Sequence, residues 1–405
     1  MRHLHKIIND PIYEIIEIPY GLIFELVEHP YYQRLRRITQ LGLTHYVYPG
    51  ATHTRFNHTL GAMHLIQKAI RVLRIKGVEI TEEEAEGLMI AILLHDIGHG
   101  PFSHSLEYVL LNIPHEDLSI AFMEELNKEF DGRLTLALKI FRNQYHKKYL
   151  YQLVSGQLDM DRLDYLTRDS FFTGVYEGKV GYNRIIKTLN VYKEELVVEY
   201  KGIYSIEKFL IARRLMYWQV YLHKTVICAG EMLVKALERA KVLMQNGYDL
   251  DVSKSLAYFL SQDISSTDLL DRKEEVLGHF QQIDDYDIVL ALKGFSQHED
   301  FVLSYLAQNL LNRKLMRVRL QDGPIGSDFV EQIRTEVKVK YNLSDKELEY
   351  LVIEGTETNT AYDFGGTEIK ILMADGSIQP ISKWQEHHIP HREVIKSFIC
   401  YPKFT

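Results

Sequence analysis

Through the first three hundred residues, apolar positions recur mostly with the period of a helix. Thr81-Glu82-Glu83-Glu84 has the pattern of a capping box, and Ala85, Leu88, Met89 and Ile92 follow on one face. The helix this predicts delivers His95 and Asp96 at its end, where Gly98 and Gly100-Pro101 punctuate the chain. A second helix is predicted from Asn57 to about Arg74, apolar at Leu60, Met63, Ile70 and Leu73, with His58 near its start. Shorter helices are predicted over 115–129 and 159–172, and a long one over 205–243 with a kink near Gly230. Leu196-Val197-Val198-Glu199-Tyr200 followed by Lys201-Gly202 predicts a small hairpin near 190–204. From about residue 312 the texture changes. Met316–Leu320 and Glu368–Met373 alternate as strands, the second before a turn at Ala374-Asp375-Gly376, and Ser344 caps a helix between them. The fold class expected is mostly α, with a helical body over 1–311 and a small α+β lobe over 312–405.

Composition narrows the function classes. A chain of 405 residues, 46% hydrophobic and 25% charged, can bury a large core and is not disordered. Two cysteines, Cys228 and Cys400, exclude a disulfide scaffold and a cysteine-based zinc finger. The longest apolar run, Leu88–Leu94, is far short of the roughly 20 residues of a membrane span. The first residues, Met1-Arg2-His3-Leu4-His5-Lys6, lack the apolar stretch of a signal peptide, so a cytoplasmic location with no membrane partner is expected. A net charge of −8 argues against an overall footprint for duplex nucleic acid, yet leaves room for a local cationic pocket that takes a polyanionic small molecule.

Histidine is the unusual count. Of 18 in the chain, eight (His45, His53, His58, His64, His95, His99, His104 and His115) fall between 45 and 115. An even spread would place about three there. Adjacent His95 and Asp96 at a helix end can offer one imidazole nitrogen and one carboxylate oxygen to a single divalent ion. His58 opens the preceding helix, and Asp161 in Asp159-Met160-Asp161-Arg162-Leu163-Asp164-Tyr165 adds another carboxylate.

The pattern His58…His95-Asp96…Asp161 resembles the signature of the HD-domain metal-dependent phosphohydrolases. Longer strings are more specific. Asn9-Asp10-Pro11, Gln33-Arg34-Leu35-Arg36, Gln40-Leu41-Gly42, Tyr48-Pro49-Gly50-Ala51, Arg55-Phe56-Asn57-His58 and Asp161 to Asp169 are similar to the dNTP triphosphohydrolase branch. That branch holds bacterial dGTPases and a vertebrate protein that joins a SAM domain to an HD domain. The similarity runs from about Lys6 to Lys224 and continues weakly beyond; with the motifs beginning at residue 6, no separate SAM domain is expected.

The resemblance implies hydrolysis of a deoxynucleoside triphosphate to deoxynucleoside and triphosphate. It implies one divalent metal ion (iron, manganese, zinc or magnesium) on His58, His95, Asp96 and Asp161. Attack at the α-phosphorus needs an activated water and a proton for the departing 5′-oxygen, the first from the metal and the second from a positioned acid. The resemblance assigns that acid to His115 with Glu107 as its carboxylate partner, where relatives carry Asp, and sets His99 near the phosphates. No P-loop occurs, so phosphate contacts fall to Arg55, Arg162 (a lysine in relatives), Arg213 and Lys224. Helical spacing puts Asp161, Tyr165 and Asp169 on one face, and Arg213, Tyr217, Tyr221 and Lys224 on another, with Tyr217 expected in the core. By resemblance Gln40 and Asp169 bind the 3′-hydroxyl, and Leu41 and Tyr221 leave no room for a 2′-hydroxyl. Lys6, Asn9, Glu28 (Asp in relatives), Gln33 and Arg36 stand where relatives bind an activating nucleotide between subunits, which also implies a homo-oligomer, dimer or tetramer.

Two alternatives remain at this point. One is another HD-domain phosphohydrolase, a nucleoside monophosphatase or a guanosine polyphosphate hydrolase. The other is a non-enzymatic nucleotide or single-strand nucleic-acid binder, in which Arg34, Arg36 and Arg37 would meet the backbone.

Overall fold

The computed structural model describes residues 5–359, 368–384 and 394–404, without the side chains of His104 and Asn359. Helices dominate, as the periodicity predicts. Thr81 closes a complete capping box on the helix Glu82–Leu94, and Thr54 with Asn57 does so on Arg55–Ile75. These two helices pack together, and Met160–Thr173 lies against Arg55–Ile75. His115–Glu129 starts two residues after Ile113, behind Pro114 at its N-cap. A single buried cluster runs from Tyr13 to Tyr401, so the C-terminal residues share the core of the body. No helix among the described residues is long and apolar enough to cross a membrane.

Among the described residues three sheets decorate the helices. His5–Asp10 and Glu14–Pro19 form an antiparallel hairpin that the periodicity does not reveal. Arg317–Asp322 and Ile353–Asn359 flank Val394–Tyr401, all antiparallel. Leu189–Tyr192 and Glu195–Glu199 pair antiparallel, and Lys370–Leu372 then adds in parallel to the second strand, with Ile378–Pro380 beyond it. A strand from the last hundred residues thus completes the sheet begun by the hairpin. The helices Ser327–Tyr341 and Asp345–Leu351 lie between the strands, the latter capped by Ser344.

Two local expectations are corrected. The hairpin turns at Lys193-Glu194, both at positive φ (48° and 61°), and not at Lys201-Gly202. That is the turn a two-residue hairpin favours, without the Asn-Gly or Asp-Gly that would announce it. The long helix expected over 205–243 is Ile203–Met216, a π-turn over Tyr217–Tyr221, and a new helix Lys224–Gln245 capped by His223, whose Nδ1 accepts from Thr225 N at 3.2 Å. Gly230 sits inside that second helix without breaking it, since glycine costs a helix interior only about 1 kcal/mol.

Candidate active site and metal centre

Three helices bring the histidines and carboxylates together. His58 lies in the first turn of Arg55–Ile75, His95 caps the end of Glu82–Leu94, and Asp161 opens Met160–Thr173. The ligating atoms of His58, His95 and Asp161 lie within 4.8 Å of one another. Each ring is anchored through Nδ1: His58 on Asp164 Oδ2 at 2.8 Å, His95 on the Ile92 carbonyl at 2.6 Å. Anchoring Nδ1 turns Nε2 inward. His58 Nε2 is 3.0 Å from Asp161 Oδ1, and His95 Nε2 is 3.5 Å from the same oxygen. Asp96 stands beside them, 3.3 Å from His95 Nε2 and 3.7 Å from His58 Nε2, with its Oδ2 accepting from Arg55 Nη1 at 2.5 Å.

The electrostatics favour a cation here. Burial alone would lower the pKa of His58, yet hydrogen bonds to Asp161 and Asp164 push it up to about 10. Burial likewise works against Asp96, but Arg55, His95 and His99 hold its carboxyl well below the usual range. His95 Nε2 is buried without a hydrogen-bond partner among the described residues. An orphaned imidazole nitrogen among carboxylates is a donor set that fits a divalent ion.

Beside this cluster stands the second pair. Glu107 Oε1 accepts from both His115 Nδ1 at 2.5 Å and His115 N at 3.2 Å, fixing the ring at the head of its helix. Gly98 lets that helix approach: a Cβ there would lie 2.2 Å from the His115 carbonyl oxygen and 2.4 Å from Ser119 N. His99 bridges the two groups, its ring stacked on His115 and its Nε2 3.4 Å from Asp96 Oδ1.

A cavity of about 660 Å³ opens over both. Arg55, His95, Asp96, His99, His115 and Asp161 line it together with Gln40, Leu41, Tyr165, Asp169 and Tyr221. His58 sits behind the wall, and Glu107 faces a small neighbouring cavity. Asp169 is held at both oxygens, by His53 Nε2 at 2.7 Å and by the Tyr221 hydroxyl at 2.7 Å. Gln40 Oε1 is buried without a partner among the described residues.

Other expected contacts are not brought to the cavity. Arg162 spends Nη1 on the Gly156 carbonyl and Asp159. Arg213 carries two buried guanidinium nitrogens, Nε and Nη1, without a partner among the described residues. Lys224 is exposed at the start of its helix, because the π-turn breaks the face it was expected to share with Tyr221. The same turn moves Tyr217 out of the expected core and into the cavity wall. Phe141, Tyr151, Val154 and Ser155 also line the cavity; the sequence does not single them out, since the apolar three have the spacing of ordinary core helices and Ser155 follows a helix end.

None of Lys6, Asn9, Glu28, Gln33 and Arg36 lines this cavity. Lys6, Asn9 and Glu28 are exposed on the first hairpin and the helix after it. Gln33 donates to the Val27 carbonyl at 2.7 Å and accepts from Arg36 Nε at 2.8 Å, and the Arg36 guanidinium lies 3.6 Å from the centre of the Phe56 ring. The basic set of the nucleic-acid alternative is engaged within the fold: buried Arg34 binds the carbonyls of Ile97, His99 and Ile283, and Arg37 pairs with Asp284.

Comparison with known proteins agrees with this geometry. Residues 55–169 match the HD domain, and 180–250 match the HD associated region. A crystal structure of a phosphohydrolase from Bacteroides thetaiotaomicron is 47% identical, covers 98% of this chain and 100% of that one, and superposes with a TM-score of 0.95. The protein YwfO of Bacillus subtilis is 30% identical over 93% of this chain and 87% of its own. A Dictyostelium discoideum protein named deoxynucleoside triphosphate triphosphohydrolase SAMHD1 homolog is 26% identical over 89% of this chain and 72% of its own. Family match, shared length and the converging histidines and carboxylates lead to one conclusion: the chain belongs to the HD-domain phosphohydrolase family.

Proposed function

We propose that the protein hydrolyses deoxynucleoside triphosphates to deoxynucleoside and inorganic triphosphate. The observation that carries this reading is one cavity lined by His95, Asp96, Asp161 and His115 together with Gln40, Leu41, Asp169 and Tyr221, with Glu107 holding His115 from behind. A relative named as a dNTP triphosphohydrolase supports the same substrate class.

In this reading His58, His95, Asp96 and Asp161 hold one divalent ion, whose identity the mixed nitrogen and oxygen set leaves open between iron, manganese, zinc and magnesium. When bound, the ion would offset phosphate charge and activate water. Arg55, fixed to Asp96 and Ser103, places a guanidinium at the phosphates. His115, oriented by Glu107, delivers the proton to the departing 5′-oxygen. Asp169, with Gln40, accepts the 3′-hydroxyl, and Leu41 with Tyr221 forms the wall at C2′. Lys6, Asn9, Glu28, Gln33 and Arg36 take an activating nucleotide at a subunit contact.

Purified protein, incubated with each dNTP and with mixtures under several divalent metals, should release inorganic triphosphate. Release of orthophosphate or pyrophosphate instead would favour another HD phosphohydrolase. Hydrolysis only in mixtures would reveal the activator.

A further inference from the structure

A chain of buried charge runs from the N-terminal hairpin to His58. Asp10 Oδ1 accepts from the backbone N–H of Ile12 at 2.9 Å and of Tyr13 at 3.0 Å, which shapes the turn of the hairpin. Asp10 Oδ2 accepts from Arg168 Nη1 at 2.8 Å. Arg168 also reaches the other way, Nε to Asp164 Oδ2 at 3.0 Å and Nη2 to Asp164 Oδ1 at 3.1 Å. Asp164 Oδ2 is the atom that receives His58 Nδ1. The side chains of Arg168 and Asp164 are 0% exposed and that of Asp10 4%.

Stability is a weak reason for such a triad, because apolar side chains of the same volume often pack as well. Apolar side chains could not, however, present a fixed carboxylate to a histidine. The helix that carries His58 makes room for the triad: a Cβ on Gly61 would stand 2.0 Å from Asp164 Oδ1 and 2.3 Å from Arg168 Nη2.

We infer that Asp10 is a positioning residue of the metal centre, holding Asp164 through Arg168 so that His58 keeps Nε2 turned toward Asp96 and Asp161. The inference rests on His58 being a metal ligand, as proposed above. It makes the hairpin a working part of the site although it touches no part of the cavity. With the Asp10 carboxylate gone, Arg168 keeps one anionic partner and can swing on it, and the His58 ring loses its fixed bearing.

Cobalt(II) is the probe, read by chelator competition and by its visible absorption spectrum. Asp10→Asn keeps an oxygen for the turn amides and removes the ion pair. Its cobalt affinity should fall by about three- to tenfold, with an altered spectrum, against about 10- to 100-fold for Asp164→Asn. Asp300→Asn breaks the pair between Arg239 and Asp300, which touches none of these residues, and controls for lost stability alone. It should lower Tm and leave the cobalt spectrum unchanged. Should Asp10→Asn fail to fold, the double variant Asp10→Asn/Arg168→Met leaves no unpaired guanidinium and should show the same cobalt effects. Wild-type affinity and spectrum in the folded variant would overturn the inference. Cobalt binding that survives His58→Ala unchanged would instead overturn the metal-centre reading, and this inference with it.

Discussion

The His99 ring lies flat on the His115 ring, centroids 3.9 Å and planes 21° apart. His99 also reaches Asp96, and His115 is gripped by Glu107, so this stack joins the His/Asp cluster to the proposed acid. His115→Ala should keep its metal and bind substrate, yet turn over about a hundredfold or more slowly, as loss of a general acid implies. Single-turnover kinetics at saturating substrate decide it, and an unchanged rate removes His115 from the mechanism.

The proposed metal ligands should behave differently. His95→Ala and Asp161→Ala each delete one of the converging donors, and both should lose bound metal together with activity. Elemental analysis of the purified variants is the check. Full occupancy in both would refute the assignment.

If Leu41 and Tyr221, both in the cavity wall, pack against C2′ as proposed, a ribonucleotide must press its 2′-hydroxyl against them. Overpacking and an unpartnered buried hydroxyl each cost roughly 1–3 kcal/mol, which together imply a discrimination of about a hundredfold or more in kcat/KM. Tyr221→Ala should narrow the dGTP/GTP ratio, and it also removes a hydrogen bond from Asp169, so overall activity should fall. Equal rates for dGTP and GTP in the wild type would end the sugar-wall argument.

Gly98→Ala tests how closely the HD loop and the His115 helix must approach. The new Cβ would meet backbone atoms, which cannot rotate away, so the helix must shift. Overpacking of this kind costs about 1–3 kcal/mol. A urea titration should show that loss, and turnover should drop with it because His115 moves.

His64 predicts a dependence of stability on pH. Its ring stacks on Tyr13 at 5.0 Å, its Nε2 is buried without a partner among the described residues, and burial, with Lys68 adding, pushes its pKa down to about 4. The unfolded chain binds this proton more readily, so folding stability falls as pH drops from about 6.5 and the loss is complete near pH 4. Between pH 7 and pH 5 the contribution is on the order of 1–2 kcal/mol. His64→Gln should flatten that part of the curve in urea titrations at the two pH values; an unaltered slope would mean other groups carry it.

Much of this was legible in the residues alone. Capping boxes at Thr81 and Ser344 and the helical period around His58, His95 and Asp161 are local signals, written within a few positions of each other. The histidines and carboxylates that the fold brings together could therefore be named from the residues alone. Tertiary structure decided the rest. Asp164 meets His58 across 106 residues, His53 meets Asp169 across 116, and Asp10 meets Arg168 across 158. No periodicity links positions so far apart, and each residue taken singly reads as a surface charge or a core histidine. The π-turn at Tyr217–Tyr221, which admits Tyr217 to the cavity and removes Lys224, likewise has no Gly or Pro to mark it. Local order follows from chain stereochemistry and side-chain period, whereas a buried charge finds its partner only when packing brings distant segments together.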